Sequence, residues 1–526
     1  MNYSGKLKVM VFHGEGYLPY SGAKVIITPE EFQYNNVGIK ELYTDSNGLT
    51  EVVELPAPST ALSQSPGDNT DLAPYSSWEV KVEAKDRLPV TVKGVQVFPG
   101  IISIQQINLK PITMSNSQFM GMRSEVQVSS NMGEIINIGA HGLYGNYEKK
   151  KSEEEEKGIP NPKTMYRVLP EVVIPDKIVV HMGTPNSFST NHSVTFRDYI
   201  KNVASSEIYP TWSESTIRAN IHCIVSFTLN RIFTEWYRSK GKNFDITNST
   251  AYDHYFVFGR NIFENISKFV DEAFAQYIKR KGAIQPLFAQ YCDGIKAKCP
   301  GHLTQWGSKY LGDQGKTPYE ILSHFYGKDV IFDTSTMIRG VLQSYPGYIL
   351  TNGARGKDVV TIQRYLNKIS NNFPLIKKLS TDGIYGSQTK NSVKTFQRIF
   401  NLIENGTVDY ATWYKISEIY VAVTRMAEVN GEGERESEVL PPFPGKELTF
   451  GSIGNEVILV QDYLNVLRRK YPTIIFLNGD GIYGYNTASA IEEFQRIAKI
   501  PVTGKVDKIT WDTLVKYHND IKLNNG

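Results

Sequence analysis

Three groups of residues in this sequence have types and spacings from which chemistry follows. The first is Val194-Thr195-Phe196-Arg197-Asp198-Tyr199-Ile200 and, further on, Glu207-Ile208-Tyr209-Pro210-Thr211-Trp212, where one acid stands among apolar and aromatic neighbours. Apolar surroundings disfavour the charged form of a carboxyl and lift its pKa toward neutrality, as proton transfer near pH 7 requires. The second group is Cys292 and Cys299, followed by His302. Closure of a short disulfide loop and two free thiols are both feasible, and the spacing matches no standard zinc knuckle. The third is the pentapeptide Asp-Gly-Ile-Tyr-Gly, which occurs at 382–386 and again at 480–484. Its glycines supply positive φ or close backbone approach, which leaves Tyr385 and Tyr483 at the rim of their loops. No triad signature and no His-Glu-x-x-His lies in the central part of the chain, so nucleophilic and common metalloprotease chemistry have no support.

The elements that must hold these residues follow from hydrophobic periodicity. Residues 1–112 alternate apolar and polar positions in short runs, such as Lys6–Phe12, Lys24–Thr28 and Glu79–Ala84, separated by turn residues, and read as an antiparallel β-sandwich. Pro56–Pro74 is a loop rich in Pro, Ser and Asp that reads as mobile. Residues 113–167 comprise an irregular stretch and a charged, proline-ended linker open to proteases. Residues 168–335 read as an α/β domain, with helices at Phe196–Val203, Glu214–Ser239 and Asn261–Lys281, a strand at Ile284–Cys292 and a closing helix at Pro318–Phe325. Two small all-α bundles, 345–425 and 447–522, flank a linker at 430–446 rich in Gly, Glu and Pro. The chain is thus multidomain, as 526 residues require.

A net charge of +3, with no Lys/Arg run interleaved with aromatics, argues against nucleic acid as a partner. No stretch of 18 apolar residues occurs, and Met1–Pro19 reads as a polar-broken strand, so neither a membrane span nor a signal peptide is expected. The 31 Tyr and six Trp suit stacking on sugar rings and equally suit core packing.

The bundles are copies of one another. Gln363, Asp382, Gly383, Tyr385, Gly386, Thr389, Phe396, Gln397, Gly406, Val408, Asp409 and Trp413 each recur 98 residues on, as Gln461 through Trp511. The pattern resembles the peptidoglycan-binding type 1 domain, which implies cell-wall glycan-peptide as ligand and Tyr385 and Tyr483 as substrate-binding residues. The sandwich, through Gly22-Ala23-Lys24-Val25, Thr44-Asp45-Ser46-Asn47-Gly48 and Trp78-Glu79-Val80-Lys81-Val82, resembles the transthyretin-like family, which is usually noncatalytic.

The segment Val194–Trp212, with Ala219-Asn220-Ile221, Asp253-His254-Tyr255, Pro286–Tyr291 and Gln305-Trp306-Gly307, resembles the stage II sporulation protein D family of lytic transglycosylases. One residue has been added before Pro210, and the family's helical Arg is not obvious. The resemblance implies Glu207 as the catalytic acid, with Tyr209, Trp212, Tyr291 and Gln305 binding substrate. Glu214 and Glu235 are the next candidates, and the plain structural role for Glu207 is a cap on the following helix. Some members of that family hold zinc through Cys and His, which makes Cys292, Cys299 and His302, with His254, weak metal candidates; otherwise no cofactor is expected.

The whole arrangement resembles the spore cortex-lytic enzymes of anaerobic spore formers. That implies a pro-region removed near Arg167 and Val168 by a subtilisin-like protease during germination. It also implies synthesis in the mother-cell cytoplasm, location at the cortex and coat, and cortex peptidoglycan as substrate. The rivals are a noncatalytic wall-binding or morphogenetic protein and a phage-type release lysin.

Overall fold

A computed structural model describes residues 3–14, 18–66, 72–112, 133–145, 151, 169, 171–429, 443–468 and 470–523. The processing region near Arg167 and Val168 and most of the second linker lie outside them.

The N-terminal alternation builds two facing sheets. In one, β1 (Ser4–His13) is central: β4 (Val53–Pro56) pairs antiparallel on one side, and β7 (Ile102–Leu109) pairs parallel on the other, with Lys6 opposite Ile102. The other sheet runs β3 (Lys40–Tyr43), β2 (Lys24–Pro29), β5 (Ser76–Glu83), β6 (Val90–Val97) and β8 (Glu134–Asn137). Along β5, Ser76, Trp78, Val80 and Val82 face inward, the period of two that a half-buried strand demands. They meet Leu7, Val9, Val11, Ile107 and Leu109 from the facing sheet.

The sandwich does not end at residue 112. Strand β8 extends it, and β11 (Ile262–Phe263), from the middle of the chain, pairs antiparallel with β7 at Ile104 and Ser103. The seam continues through the Asn261 side-chain amide, which bonds the Gln96 backbone both ways: Gln96 N–H donates to Asn261 Oδ1 at 3.1 Å, and Asn261 Nδ2 donates to Gln96 O at 2.9 Å.

The central region is organised by helix α2 (Glu214–Phe233), which is buried on nearly every side. Helix α1 (Phe196–Glu207) packs on it, N-capped by Thr195, whose Oγ1 accepts from Asp198 N–H at 3.1 Å. The expected helix over 261–281 is instead strand β11, helix α3 (Glu264–Ala273) and strand β12 (Gln276–Arg280), which pairs with β13 (Val330–Thr334). Pairing partners at both ends outweigh the local helical period. The expected strand over 284–292 shrinks to Tyr291–Cys292, because Pro286 has no N–H to continue a ladder. Helix α2 stops at Phe233, and Glu235 then takes a left-handed conformation, φ 46°. Helices α4 (Gln305–Asp313) and α5 (Pro318–Tyr326) complete the region.

Each C-terminal module is a three-helix bundle: α6 (Lys357–Ile369), α7 (Ser387–Ile399) and α8 (Tyr410–Val429), then α9 (Asn455–Leu467), α10 (Tyr485–Ala498) and α11 (Lys508–Leu523). Module 1 docks through α8: Arg197 Nη2 donates to Tyr414 O at 3.1 Å and pairs with Glu418. Module 2 docks through its loop, where both Glu235 carboxylate oxygens accept from Tyr485 N–H, at 3.2 and 3.3 Å.

Burial pushes Glu235 up to about 7, against the pull of Arg238 and the Tyr485 N–H, with Asp480 and Asp245 adding to the rise. A carboxyl whose folded pKa lies above its ordinary 4.5 binds more protons folded than unfolded, so its contribution to stability falls as pH rises toward 7. The stability of Glu235→Gln relative to the parent should therefore increase between about pH 5 and 7.5. Paired denaturant titrations across that range measure it, and a pH-independent difference would refute the assignment.

Candidate active site

Glu207 is the last residue of α1 and is 1% exposed. Its Oε1 accepts the Tyr255 N–H at 2.6 Å, and its Oε2 accepts the Tyr291 hydroxyl. Gln305 Nε2 donates to the Glu207 backbone carbonyl at 2.9 Å, tying the start of α4 to the end of α1. His254 lies 5.7 Å from the Tyr291 ring, near-parallel to it, and its Nδ1 is 3.0 Å from the Tyr199 hydroxyl. The helix after Glu207 is capped by Ser213, so the capping role considered for Glu207 falls elsewhere.

Of the expected residues, Tyr291 and Gln305 bond Glu207 directly, while Tyr209 and Trp212, both buried, follow it in the chain. Tyr209 and Trp212 meet edge-on at 5.6 Å, and Trp306, half-buried, joins both at 6.1 and 5.1 Å. Trp306, within Gln305-Trp306-Gly307, is a sugar-stacking candidate to which the sequence alone assigns no role. Tyr255 is another, since its contact with Glu207 runs through backbone and leaves no side-chain signature.

The N-terminal region lies directly on this site. Gly142 N–H donates to Ser206 O at 2.8 Å, and a Cβ on Gly142 would stand 3.0 Å from that oxygen and 3.7 Å from the Glu207 Cα. The His141 ring sits 4.6 Å from the Tyr209 ring, and burial holds its pKa well below the usual value, keeping it neutral. The Trp212 indole N–H also donates to Ser63 O, at 2.8 Å. The loop expected to be mobile at 56–74 therefore includes a short helical turn, Thr60–Ser63, seated on Trp212.

Cys292 and Cys299 form a disulfide. The zinc reading needed both as thiolates, and among the described residues no group of three or more His, Cys, Asp or Glu is placed to hold a metal. The loop they close presents Lys296, whose ammonium donates to the carbonyls of Tyr144, at 3.0 Å, and Gly145, fastening the covering segment. Cys223 is a buried free thiol.

Tyr385 and Tyr483 are not at a rim. Both are fully buried, and their hydroxyls donate to Gly406 O and Gly504 O at 3.0 Å. The duplicated glutamines explain the motif better. Gln363 Nε2 donates to Asp382 Oδ1 and Ile384 O while its Oε1 accepts Gly383 N–H, and Gln461 repeats this with Asp480, Ile482 and Gly481. Each loop is therefore fixed from within by a buried amide whose donors and acceptor are all used.

The family model described as a putative peptidoglycan binding domain matches residues 355–416 and 453–514, so the chain carries two such modules. No curated protein matches the chain. Among solved structures, "The Bacillus anthracis TIE protein" is similar at 14% identity over 21% of this chain and 17% of that one, with a TM-score of 0.15, too slight a likeness to bear on the fold. Among the described residues, no helix is long and apolar enough to cross a membrane.

Removal of a buried aromatic ring costs about 3–5 kcal/mol, so Tyr385→Ala and Tyr483→Ala should destabilise their modules by that order. Tyr385→Phe, losing one hydrogen bond, should cost about 1 kcal/mol and keep wall retention. Denaturant midpoints beside sedimentation with insoluble wall separate the cases. An Ala variant as stable as the parent, with retention lost, would restore the ligand-contact role.

Proposed function

We propose that this chain is the proform of a peptidoglycan lytic transglycosylase of the spore cortex. The observation that carries the reading is the single carboxyl of Glu207, held by Tyr255 and Tyr291 beside Tyr209, Trp212 and Trp306, with residues 139–145 lying over it. The two matched modules support peptidoglycan as the ligand. The resemblance of Val194–Trp212 to stage II sporulation protein D, and of the sandwich to transthyretin-like folds, supports the remaining assignments.

One carboxyl suffices for this reaction. Hydrolytic glycosidases need two, because water or an enzyme nucleophile must be set on the far face of the sugar. Here the nucleophile is the muramoyl C6 hydroxyl, already tethered to the ring, and proximity replaces the second group. Glu207 gives its proton to the bridging oxygen as the C1–O4 bond breaks. It then takes the C6 hydroxyl proton as the C1–O6 bond closes the 1,6-anhydro ring. The Tyr291 hydroxyl can donate to the carboxylate and accept from the acid, keeping the group oriented through both steps.

The covering segment accounts for latency. Sugar cannot reach Glu207 while Gly142 and His141 occupy the space between Tyr255 and Tyr209. We assign activation to a subtilisin-like protease cutting near Arg167 and Val168, and we place synthesis in the mother-cell cytoplasm and action at the cortex.

Glu207→Gln should fold normally and lose cleavage by about 10²–10⁴-fold. Mass spectrometry of digested cortex reads the result: anhydro-muramoyl products from the parent and none from the variant. Hydrolysed ends would favour the lysin reading, and no products from the cut parent would favour a wall-binding protein without activity. Limited proteolysis between Lys149 and Val168 should raise cleavage by at least about tenfold, since it turns a tethered cover into a dissociable one. Equal activity before and after the cut would reduce the N-terminal region to a localisation module.

A further inference from the structure

One charge under the covering segment has no counter-charge. Arg260, in the loop that leads into β11, is 4% exposed, and burial brings its pKa down to about 10, so the guanidinium keeps its proton at pH 7. The ionisable groups that act on it are the phenols of Tyr255 and Tyr75, and among the described residues no carboxylate pairs with it. Its Nη2 donates to Gly139 O at 3.1 Å and to Ala140 O at 3.4 Å. Nε and Nη1, both removed from solvent, meet no acceptor among the described residues. A buried cation ordinarily has an anion as its partner, because carbonyl dipoles alone do not offset the loss of water.

Tyr255 ties this charge to the acid. Its backbone N–H donates to Glu207 Oε1 at 2.6 Å, and its hydroxyl donates at 3.3 Å to the Ala140 carbonyl that Arg260 also holds. Arg260 adds, after burial, to the depression of the His141 pKa, and the His141 ring lies 4.6 Å from that of Tyr209. Gly139 and Ala140 are themselves exposed, so the backbone that holds the guanidinium is a thin layer at the surface. It comes close as bare main chain: a Cβ on Gly139 would stand 2.9 Å from the Tyr255 hydroxyl. Residues 139–145, Gly-Ala-His-Gly-Leu-Tyr-Gly, bring no acid. A segment that served only to fasten Arg260 would do so best with a carboxylate. Two carbonyls hold it weakly and leave the positive charge for a later partner.

We propose that Arg260, with the Tyr255 hydroxyl, is the seat of a carboxylate on the muramoyl side arm of the substrate, and that the Gly139 and Ala140 carbonyls occupy that seat in the uncut chain. In a glycan of alternating N-acetylglucosamine and N-acetylmuramic acid, only the muramoyl arm carries an acid. With both carbonyls withdrawn, the Nη2 hydrogens lie beside those of Nε and Nη1, and a carboxylate can be gripped by two parallel bonds on either edge of the guanidinium fork. The acid is the lactyl carboxylate of a peptide-free muramic residue or a glutamyl carboxylate of a stem peptide. The proposal rests on the reading of the Glu207 cleft as a covered glycan site.

The test is calorimetric titration of the full chain, cut between Lys149 and Val168, with N-acetylglucosaminyl-N-acetylmuramic acid, with its lactyl methyl ester, and with the same disaccharide bearing L-alanyl-D-glutamate. One of the two acids should bind at least about tenfold tighter than the ester, and which one does names the source of the carboxylate. Arg260→Met should abolish that preference and leave ester binding unchanged. It exchanges an unpaired buried cation for an apolar side chain, so the melting temperature of the uncut chain should not fall. Tyr255→Phe keeps the ring and the N–H on Glu207, should weaken the acid about fivefold, and decides the question if Arg260→Met does not fold. Equal binding of acids and ester, or an acid preference that survives either substitution undiminished, would overturn the proposal. Digestion of cortex by the same cut chain separates this result from the lytic assignment. Anhydro-muramoyl products without an acid preference sink the seat and keep the lytic reading, and an Arg260-dependent preference without products does the reverse.

Discussion

A carboxyl removed from water must be answered by donors, and around Glu207 that requirement fixes much of the central region. The group is 1% exposed, so its two oxygens need partners held by structure and not by solvent. One is the Tyr255 backbone N–H, which sets the path of the loop after Asp253. The other is the Tyr291 hydroxyl, which sets the short strand preceding the disulfide loop. Gln305 adds a third tie, to the Glu207 carbonyl, from the start of α4. Three segments far apart in sequence thus converge on one residue at the end of a helix. The same burial needs a lid, and the sandwich region supplies one at Gly142, where the absence of a side chain lets two backbones meet.

Much of this was legible in the sequence where a local period or a repeated motif carried the signal. The alternation in Glu79–Ala84 announced most of the half-buried strand Ser76–Glu83, and the 98-residue repeat announced two bundles. Tyr291 and Gln305 do bond Glu207. The misreadings share one cause, which is that long-range pairing leaves no local mark. Ile262–Phe263 and Gln276–Arg280 carry a helical period and are strands because distant edges wait for them. The glycines around Tyr385 and Tyr483 suggest a rim position, whereas their hydroxyls answer the buried carbonyls of Gly406 and Gly504. Glycine next to tyrosine reads alike whether the ring points in or out.

The duplicated modules show how far one motif can be put to different ends. Gln363 and Gln461, and likewise Gln397 and Gln495, make the same internal hydrogen bonds, so the loops are built alike. What differs is the docking surface. Module 1 meets the rest of the chain through α8, where Arg197 of the central region pairs with Glu418 and donates to Tyr414 O. Module 2 meets it through the loop itself, where Asn478 Nδ2 also donates to Lys177 O at 3.3 Å.

The pairing of β11 with β7 carries a consequence for timing. It puts a strand of the central region into a sheet of the N-terminal region, backed by the reciprocal amide bonds of Gln96 and Asn261. Cutting the intervening chain severs no part of that seam. The severed halves begin as a two-chain complex whose lifetime is set by an off-rate, and the freed piece can rebind its former partner. Under the activation proposed above, latency would decay on a clock that starts at the cut, runs slower the more concentrated the fragments are, and is reset whenever the halves meet again.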